Sequence, residues 1–250
     1  MNCPTPSDVP LDDMCVALQP VLNLRTGRVR GFEALLRGRG GTCVPTLQLY
    51  RRARREGWLD ALEQRARSLA FASARRHLTG DELLFLNCDV RIPLSEEHYR
   101  RLVVEISEPG DIDAGDLDRL RLQGVQVFLD DYGVANGTLG RMLDVQPGGL
   151  KLDRSIVRGI SRDPRRFCIL QAITALSRDL GIDVVAEGIE TSEDLVAVRS
   201  AGFEYGQGYY LGRPVLAPDR RRLAETAQLL HDTVLDVVTY TRQRKALSAS

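Results

Sequence analysis

The sequence predicts an α/β fold, a TIM-like (β/α)8 barrel with one antiparallel strand near its N-terminus. Short buried-strand runs alternate with longer helical segments, which is typical of parallel βαβ units. The strand runs number close to eight, which suits a closed barrel better than an open doubly wound sheet. The chain has 250 residues, a normal length for one such barrel and enough to bury a sizeable core.

The N-terminal region supplies the irregular part of the predicted barrel. Residues 1–13 are rich in proline and aspartate and are expected to be loose. Two apolar runs follow, Cys15–Leu24 and Val29–Leu36, with Thr26-Gly27 between them. Because a Thr-Gly pair between apolar runs indicates a hairpin turn, the first two strands should be antiparallel.

The remaining strands and helices alternate along the chain. Strands are predicted at Leu83–Leu86, Leu102–Ile106, Val125–Leu129, Leu150–Leu152, Ile182–Ala186 and Tyr209–Leu211. Helices are predicted at Leu47–Arg76 with an interruption near Gly57, and at Ile112–Leu122, Leu139–Leu143, Pro164–Leu180 and Ser192–Ser200. We expect one domain over residues 14–250, with a C-terminal helical extension from about residue 218 that packs on the barrel or contacts a partner.

Composition and charge argue against several classes of protein. The 34 basic and 34 acidic residues give a formal net charge of zero, so no overall field favours a polynucleotide partner. The cysteines are odd in number and widely spaced, which indicates reduced thiols in a cytoplasmic protein. No stretch approaches the roughly 18 apolar residues of a membrane span, so membrane insertion is not expected.

Side chains that bind cations or phosphates end nearly every predicted strand. They are Glu33, Asn87, Glu105, Asp130, Asp131, Lys151 and Glu187, while Gln207 precedes the last predicted strand. Parallel strand ends meet at one mouth of a barrel, where barrel enzymes place their active sites. Carboxylates gathered there repel one another, and a divalent cation relieves that repulsion. Oxygen ligands favour Mg²⁺, Mn²⁺ or Ca²⁺ over zinc.

Each of these residues has a simpler explanation when it is considered alone. A single acidic residue after a strand is more often a helix N-cap, and a single lysine more often forms a surface salt bridge. The joint pattern is what predicts a site. Two glycine-rich segments, Gly38–Gly41 and Gly206–Gly208, do not complete the spacing of a dinucleotide-binding loop.

Seven blocks of sequence occur in order from about Cys15 to Pro214, four-fifths of the chain. They are Leu18–Arg37 with its Glu33-Ala34-Leu35, Leu86-Asn87, Glu105–Glu108, Leu129–Gly133, Lys151–Ser155, Ala186–Thr191 and Gly206–Pro214. Together they resemble the EAL phosphodiesterases, whose name spells Glu-Ala-Leu. The resemblance implies a metal-dependent enzyme that opens cyclic di-GMP to linear 5′-pGpG.

The resemblance also implies roles for individual residues. A first Mg²⁺ or Mn²⁺ would be held by Glu33, Asn87, Glu105 and Asp130, and a second by Asp130, Asp131 and Glu187. Lys151 would hold the attacking water, with a pKa lowered by burial near the metals. The substrate site would include Gln19, Arg37, Gln207 and Pro214, and the loop after Asp131 would be braced by Glu108 and Glu190.

Departures from the family pattern leave alternatives open. Ala135 replaces a glycine in the loop after the paired aspartates, Gly38 replaces a tryptophan, and Gly148 replaces an aspartate. A receptor that binds cyclic di-GMP without cutting it, and acts through a protein partner, is therefore the main alternative. A scaffold that ignores the nucleotide is a third. The family commonly dimerises, so a homodimer is expected.

Overall fold

Eight strands close into a barrel in the computed structural model, which describes residues 11–38, 46–87, 100–107, 113–133, 139–233, 237 and 240. The strands are β1 Met14–Asn23, β2 Val29–Gly38, β3 Leu83–Asn87, β4 Leu102–Ser107, β5 Gln126–Tyr132, β6 Gly149–Leu152, β7 Asp183–Ala186 and β8 Tyr205–Gly206. Their order around the barrel follows their order along the chain, and β2 to β8 are parallel. The predicted barrel is confirmed.

The hairpin of β1 and β2 is also confirmed. β1 runs antiparallel to β2 with Gln19 opposite Glu33, and its other edge closes the barrel against β8. In the turn, the Asn23 side chain accepts a hydrogen bond from the Thr26 N–H at 2.9 Å. Gly27 has a φ of 71°, which favours glycine. Because β1 is reversed, its N-terminal half lies beside the carboxyl ends of the other strands.

The helices surround the barrel close to their predicted positions, apart from the short helix at Arg154–Val157, which was not predicted. They are α1 Thr46–Glu56, α2 Leu59–His77, α3 Ala114–Leu122, α4 Leu139–Val145, α5 Arg154–Val157, α6 Pro164–Asp179, α7 Ser192–Ser200 and α8 Arg220–Asp232. The helical interruption expected near Gly57 separates α1 from α2, where this glycine has a φ of 78°. Within the described ranges, no helix combines the length and the apolar character needed to cross a membrane.

Apolar residues are buried on both faces of the strands, in two separate clusters. The larger cluster lies between the strands and the helices and includes Leu84, Leu86, Val104, Leu129, Leu150 and Val184. The smaller cluster fills the barrel interior and consists of Val21, Leu83, Phe85, Val103, Phe128, Val185 and Tyr205. Phe85 and Phe128 meet there edge to face, with ring centroids 5.5 Å apart. We call this smaller cluster the apolar plug.

The prediction for the last strand is wrong. The final strand is the two-residue β8, and Gln207 follows it, whereas the sequence suggested a strand at Tyr209–Leu211 preceded by Gln207. The segment from Gly208 onward forms a turn in which the N–H of Leu211 donates to Gly208 O at 3.0 Å. Leu211 is buried in that turn, which gives the segment its apolar character without a strand.

The C-terminal helical segment packs on its own barrel. Leu223 and Leu230 of α8 are buried in the larger apolar cluster. Farther along, the Tyr240 ring lies 5.8 Å from that of Phe167 in α6, and its hydroxyl donates to Ser161 O at 3.3 Å. The described part of the predicted extension therefore has contacts within the chain. Residues 1–10 lie outside the described residues.

Candidate functional site

An alternation in every strand separates the apolar plug from a polar mouth. Side chains of a strand point alternately to its two faces, so residues two apart share the inward face. The inward pairs are Gly31 and Glu33, Phe85 and Asn87, Val103 and Glu105, Phe128 and Asp130, Gly149 and Lys151, Val185 and Glu187, and Tyr205 and Gln207. In the reversed strand β1, Gln19 comes before Val21. All eight strands therefore place a polar residue at the same end of the barrel.

Lys151 on β6 lies at the centre of this polar mouth, with its side chain 1% exposed. Its Nζ lies 2.6 Å from Glu187 Oε1, 2.8 Å from Glu105 Oε1, 3.3 Å from Glu33 Oε2 and 3.4 Å from Asp130 Oδ1. Four separate strands thus bring carboxylates to one ammonium group. Such a buried cluster is stable only when its charges compensate one another.

Burial and mutual repulsion change how these groups bind protons. Burial raises the pKa of Glu105 well above its usual value, and the attraction of Lys151 does not cancel this effect. Burial likewise raises the pKa of Glu187 to about 8. For Lys151, burial favours a lower pKa, but the surrounding carboxylates outweigh it and hold the pKa well above the usual value. The lowered lysine pKa was expected next to bound metal ions, and it stays a prediction for the metal-loaded site.

An irregularity in β5 brings the second aspartate of the Asp-Asp pair to the same mouth. In a regular strand Asp130 and Asp131 would point to opposite faces. The pairing of β5 with β6 shifts register between Leu129 and Tyr132, and Asp131 adopts a φ of 53°. Carboxylate oxygens of Asp130, Asp131 and Glu187 consequently all lie within 4.8 Å of one another. Burial, followed by repulsion from Asp130, raises the pKa of Asp131 to about 6.

Gln207 and Gln19 hold the remaining carboxylate from the side of β1 and β8. Gln207 Nε2 donates to Glu33 Oε2 at 2.5 Å and to Gln19 Oε1 at 3.1 Å. Gln19 Nε2 in turn donates to Gly212 O at 3.1 Å. Both amide side chains are buried. The chain of hydrogen bonds fixes the orientation of Gln207 and, through it, that of Glu33.

The donor atoms fit a hard divalent cation. Within the described part of the chain, the buried oxygens Glu105 Oε1 and Asp130 Oδ1 accept no hydrogen bond, although both lie within ion-pair distance of Lys151. Asn87 Nδ2 donates to Asp130 Oδ2 at 3.1 Å and to Glu105 Oε2 at 3.3 Å. Rotating this amide would present its oxygen to the same space. An all-oxygen set of this kind suits Mg²⁺ or Mn²⁺.

The predicted substrate-binding residues outside the glutamine network lie near the rim of the barrel. Arg37 is the next-to-last residue of β2, and its Nη1 donates to Leu36 O at 2.8 Å. Pro214 is half-buried after β8 and directly precedes Val215, whose backbone pairs with Leu18 of β1. Both residues are therefore next to strands that form the mouth.

Of the two predicted loop-supporting residues, Glu190 is among the described residues and Glu108 is not. Glu190 follows β7, and its Oε1 lies 2.9 Å from Arg154 Nη2. Glu108 lies outside the described residues, as do residues 134–138 of the loop that both were expected to brace. Bracing of that loop stays a prediction.

Sequence reasoning missed two residues that follow Lys151. Asp153 caps α5 by accepting a hydrogen bond from Ser155 N at 2.7 Å, and its charge contributes to the raised pKa of Asp131. Arg154 pairs with Glu190. A signal was present, because both residues directly follow a strand at the end where parallel strands place functional groups. Taken alone, Asp153 has the pattern of a helix cap and Arg154 that of a surface charge, so neither was assigned to the site.

Comparison with known proteins identifies the family of this barrel. The model of the EAL domain matches residues 7–214. The chain belongs to the EAL domain family. Pseudomonas aeruginosa cyclic di-GMP phosphodiesterase NbdA is 30% identical over 228 residues, which are 82% of this chain and 29% of that protein. The probable cyclic di-GMP phosphodiesterase PdeG of Escherichia coli is 31% identical over 225 residues, 79% of this chain and 44% of that protein.

Solved EAL structures share the architecture. Klebsiella pneumoniae BlrP1, in a manganese and cyclic di-GMP complex at pH 6, superposes with a TM-score of 0.73 and 26% identity. The match covers 84% of this chain and 58% of that one. This EAL chain thus spans less than half the length of the two curated relatives and a little over half of BlrP1.

Proposed function

We propose that the protein is a divalent-metal-dependent phosphodiesterase that hydrolyses cyclic di-GMP to linear 5′-pGpG. The observation that carries the proposal is the buried gathering of four carboxylates from four strands around Lys151 at the barrel mouth. Apolar side chains would fill this space at lower cost if the barrel had only to be stable. Membership of a family whose curated relatives include cyclic di-GMP phosphodiesterases supports the choice of substrate.

Two overlapping sets of side chains would hold the metals. Glu33, Asn87, Glu105 and Asp130 would form one set, and Asp130, Asp131 and Glu187 the other, with Asp130 shared. The separation of at most 4.8 Å between oxygens of the second set supports this division. Bound divalent ions would polarise the phosphodiester and lower the pKa of an attacking water. Mg²⁺ and Mn²⁺ both suit these oxygen ligands.

Lys151 would hold the attacking water and stabilise negative charge that develops on the phosphate. Its place among the carboxylates that would bind the ions supports this role. The water oxygen forms the new bond to phosphorus while the bond to the ribose 3′ oxygen breaks. That oxygen leaves as a hydroxyl after taking up a proton, which gives a linear product with a 5′-phosphate.

Other residues would bind substrate or support the site. Arg37 would contact phosphate through its forked guanidinium, and Pro214 would line the substrate site next to β1. Gln19 and Gln207 would complete the substrate site through the amide network that holds Glu33. Further parts of the proposal are a homodimer, a regulatory protein partner, a cytoplasmic location and support of the loop after Asp131 by Glu108 and Glu190.

A turnover assay tests the proposal directly. The purified chain is incubated with cyclic di-GMP in Mg²⁺, in Mn²⁺ or in EDTA, and the nucleotides are separated by chromatography. We expect linear pGpG only with a divalent ion. Glu33→Ala should lower turnover by about 1000-fold, since a metal ligand supplies several kcal/mol of charge stabilisation.

The matched control is Glu204→Ala. Glu204 is an exposed glutamate next to β8 whose side chain accepts a hydrogen bond from Asn23 at the opposite end of the barrel. This variant should turn over like the wild type. Retention of cyclic di-GMP without cleavage under all metal conditions would instead identify a receptor, and absence of binding would identify a scaffold.

A further inference from the structure

The segment between β7 and α7 carries Glu187 and is held by backbone hydrogen bonds. Glu187 N donates to Leu152 O of β6 at 3.1 Å. Ile189 N donates to Gln207 O at 3.1 Å, and Ile189 O accepts from Tyr210 N at 3.1 Å. These bonds anchor both sides of Gly188, to β6 and to the segment that follows β8.

The Arg154 side chain contacts the same segment at two positions. Its Nη2 lies 2.9 Å from Glu190 Oε1, while its methylene stem lies against Gly188. A Cβ atom at position 188 would overlap Cβ and Cγ of Arg154, and Gly188 also has a φ of 69°. The chain therefore requires a glycine there for two reasons, a left-handed backbone and the close approach of the arginine stem.

We propose that Arg154 is a positioning residue that fixes Glu187 through its contacts with Gly188 and Glu190. The inference rests on the proposed function, because it assigns Arg154 to the support of a proposed metal ligand. Glu187 is adjacent to Gly188, and its Oε1 lies 2.6 Å from Lys151 Nζ. A rotation of the segment would carry this carboxylate away from Asp130 and Asp131.

The helix that carries Arg154 supports two loops of the mouth. Gly133, at the end of the described part of the β5 loop, lies against the Ile156 side chain so closely that a Cβ would overlap its Cδ1. Arg154 and Ile156 both belong to α5, which directly follows the strand of Lys151. A single turn of helix thus contacts segments that carry Asp131 and Glu187.

Global stability is a poor explanation for this contact. The Arg154 side chain is 48% exposed, and ion pairs with that much solvent contribute little to folding. A group that supports a metal ligand acts on metal affinity instead, typically by 10- to 100-fold. Removal of Arg154 should therefore affect the site more than the melting temperature.

The test measures Mn²⁺ affinity of the full chain by calorimetry and turnover of cyclic di-GMP separately. Arg154→Ala should weaken Mn²⁺ binding about 10-fold, with a melting temperature within about 2 °C of the wild type. Arg154→Lys, which keeps the stem and the charge, should stay within about threefold. The double variant Arg154→Ala/Glu190→Gln should bind no more than about twofold more weakly than the weaker single variant, because both act through one contact.

The control is Arg158→Ala, one helical turn farther along, where the arginine is exposed. It should leave both readouts unchanged. Wild-type Mn²⁺ affinity in folded Arg154→Ala would overturn the inference, and the milder Glu190→Gln provides the same test if that variant unfolds. Loss of affinity in Arg154→Ala supports the inference even when no variant cleaves the nucleotide, a result that would defeat only the proposed hydrolysis. A wild-type chain that binds no Mn²⁺ overturns both.

Discussion

The apolar plug and the polar mouth are formed by the same strands, yet different forces hold them together. The plug is stabilised by burial of aromatic and aliphatic side chains, including the Phe85–Phe128 contact. In the mouth, carboxylates with raised pKa values surround one lysine. Burial is favourable in the plug and unfavourable for the charges of the mouth. The comparison shows that burial in the apolar plug stabilises a barrel whose mouth contains an energetically unfavourable group of charges.

Phe85→Ala provides the largest expected effect and tests the plug. The side chain is fully buried, so its removal should lower the free energy of unfolding by about 3–5 kcal/mol. The loss should be the same at pH 6 and pH 8, because no charge is involved. Urea unfolding monitored by circular dichroism measures it. Leu122→Ala, at a residue that is 89% exposed, is the control and should change little.

Lys151→Met tests the mouth in the same assay. Removing the ammonium leaves four buried carboxylates without their partner, and we expect a loss of about 3 kcal/mol at pH 8. The loss should shrink at pH 5, where carboxylates with raised pKa values take up protons. Added Mn²⁺ should restore more stability to this variant than to Phe85→Ala. Equal losses at both pH values would contradict the proposed role of charge.

Gly149→Ala tests the boundary between plug and mouth. A Cβ at this inward position of β6 would overlap the Phe128 ring. We expect a loss of about 1–3 kcal/mol from overpacking, with a smaller loss when Phe128→Leu is present in the same chain. Thermal unfolding of the single and double variants measures the coupling. Additive losses would show that the ring does not occupy the space left by the glycine.

The pH dependence of metal binding gives the smallest expected effect. Glu187 and Asp131 have pKa values of about 8 and about 6, which are higher than in the unfolded chain. Between about pH 4 and about pH 8 the folded chain therefore binds more protons than the unfolded chain. Their contribution to stability therefore falls as the pH rises from about 4 to about 8. Divalent ions must displace these protons, so Mn²⁺ affinity should rise by up to about tenfold per pH unit between about pH 6 and pH 8, where Glu187 is protonated and Asp131 is ionised, and then level off.

Calorimetry in two buffers of different ionisation enthalpy counts the protons released. Release should be larger at pH 6.5 than at pH 9. Affinity that does not change between these values would show that the carboxylates bind the metal from an already ionised state.

Much of the fold could be predicted from local sequence patterns. The hairpin around Gly27 and the strand that contains Glu105 have signals contained within a few residues. The predicted end of the sheet at Tyr209–Leu211 was wrong because β8 has only two residues, too few for a recognisable pattern. Its backbone partners lie on β1 and β7, far away in the sequence.

The sequence by itself determined which polar residues end the strands and, by their period of two, that they share an inward face with the apolar plug. Only the tertiary structure decided how their charges interact. Lys151 meets Glu33 and Glu187 because the closed barrel joins their strands around one axis. The left-handed backbone at Asp131 and the contact of Arg154 with Gly188 likewise depend on neighbours from other strands and helices. Electrostatic interactions follow distances in space, which the spacing of residues along the chain does not specify.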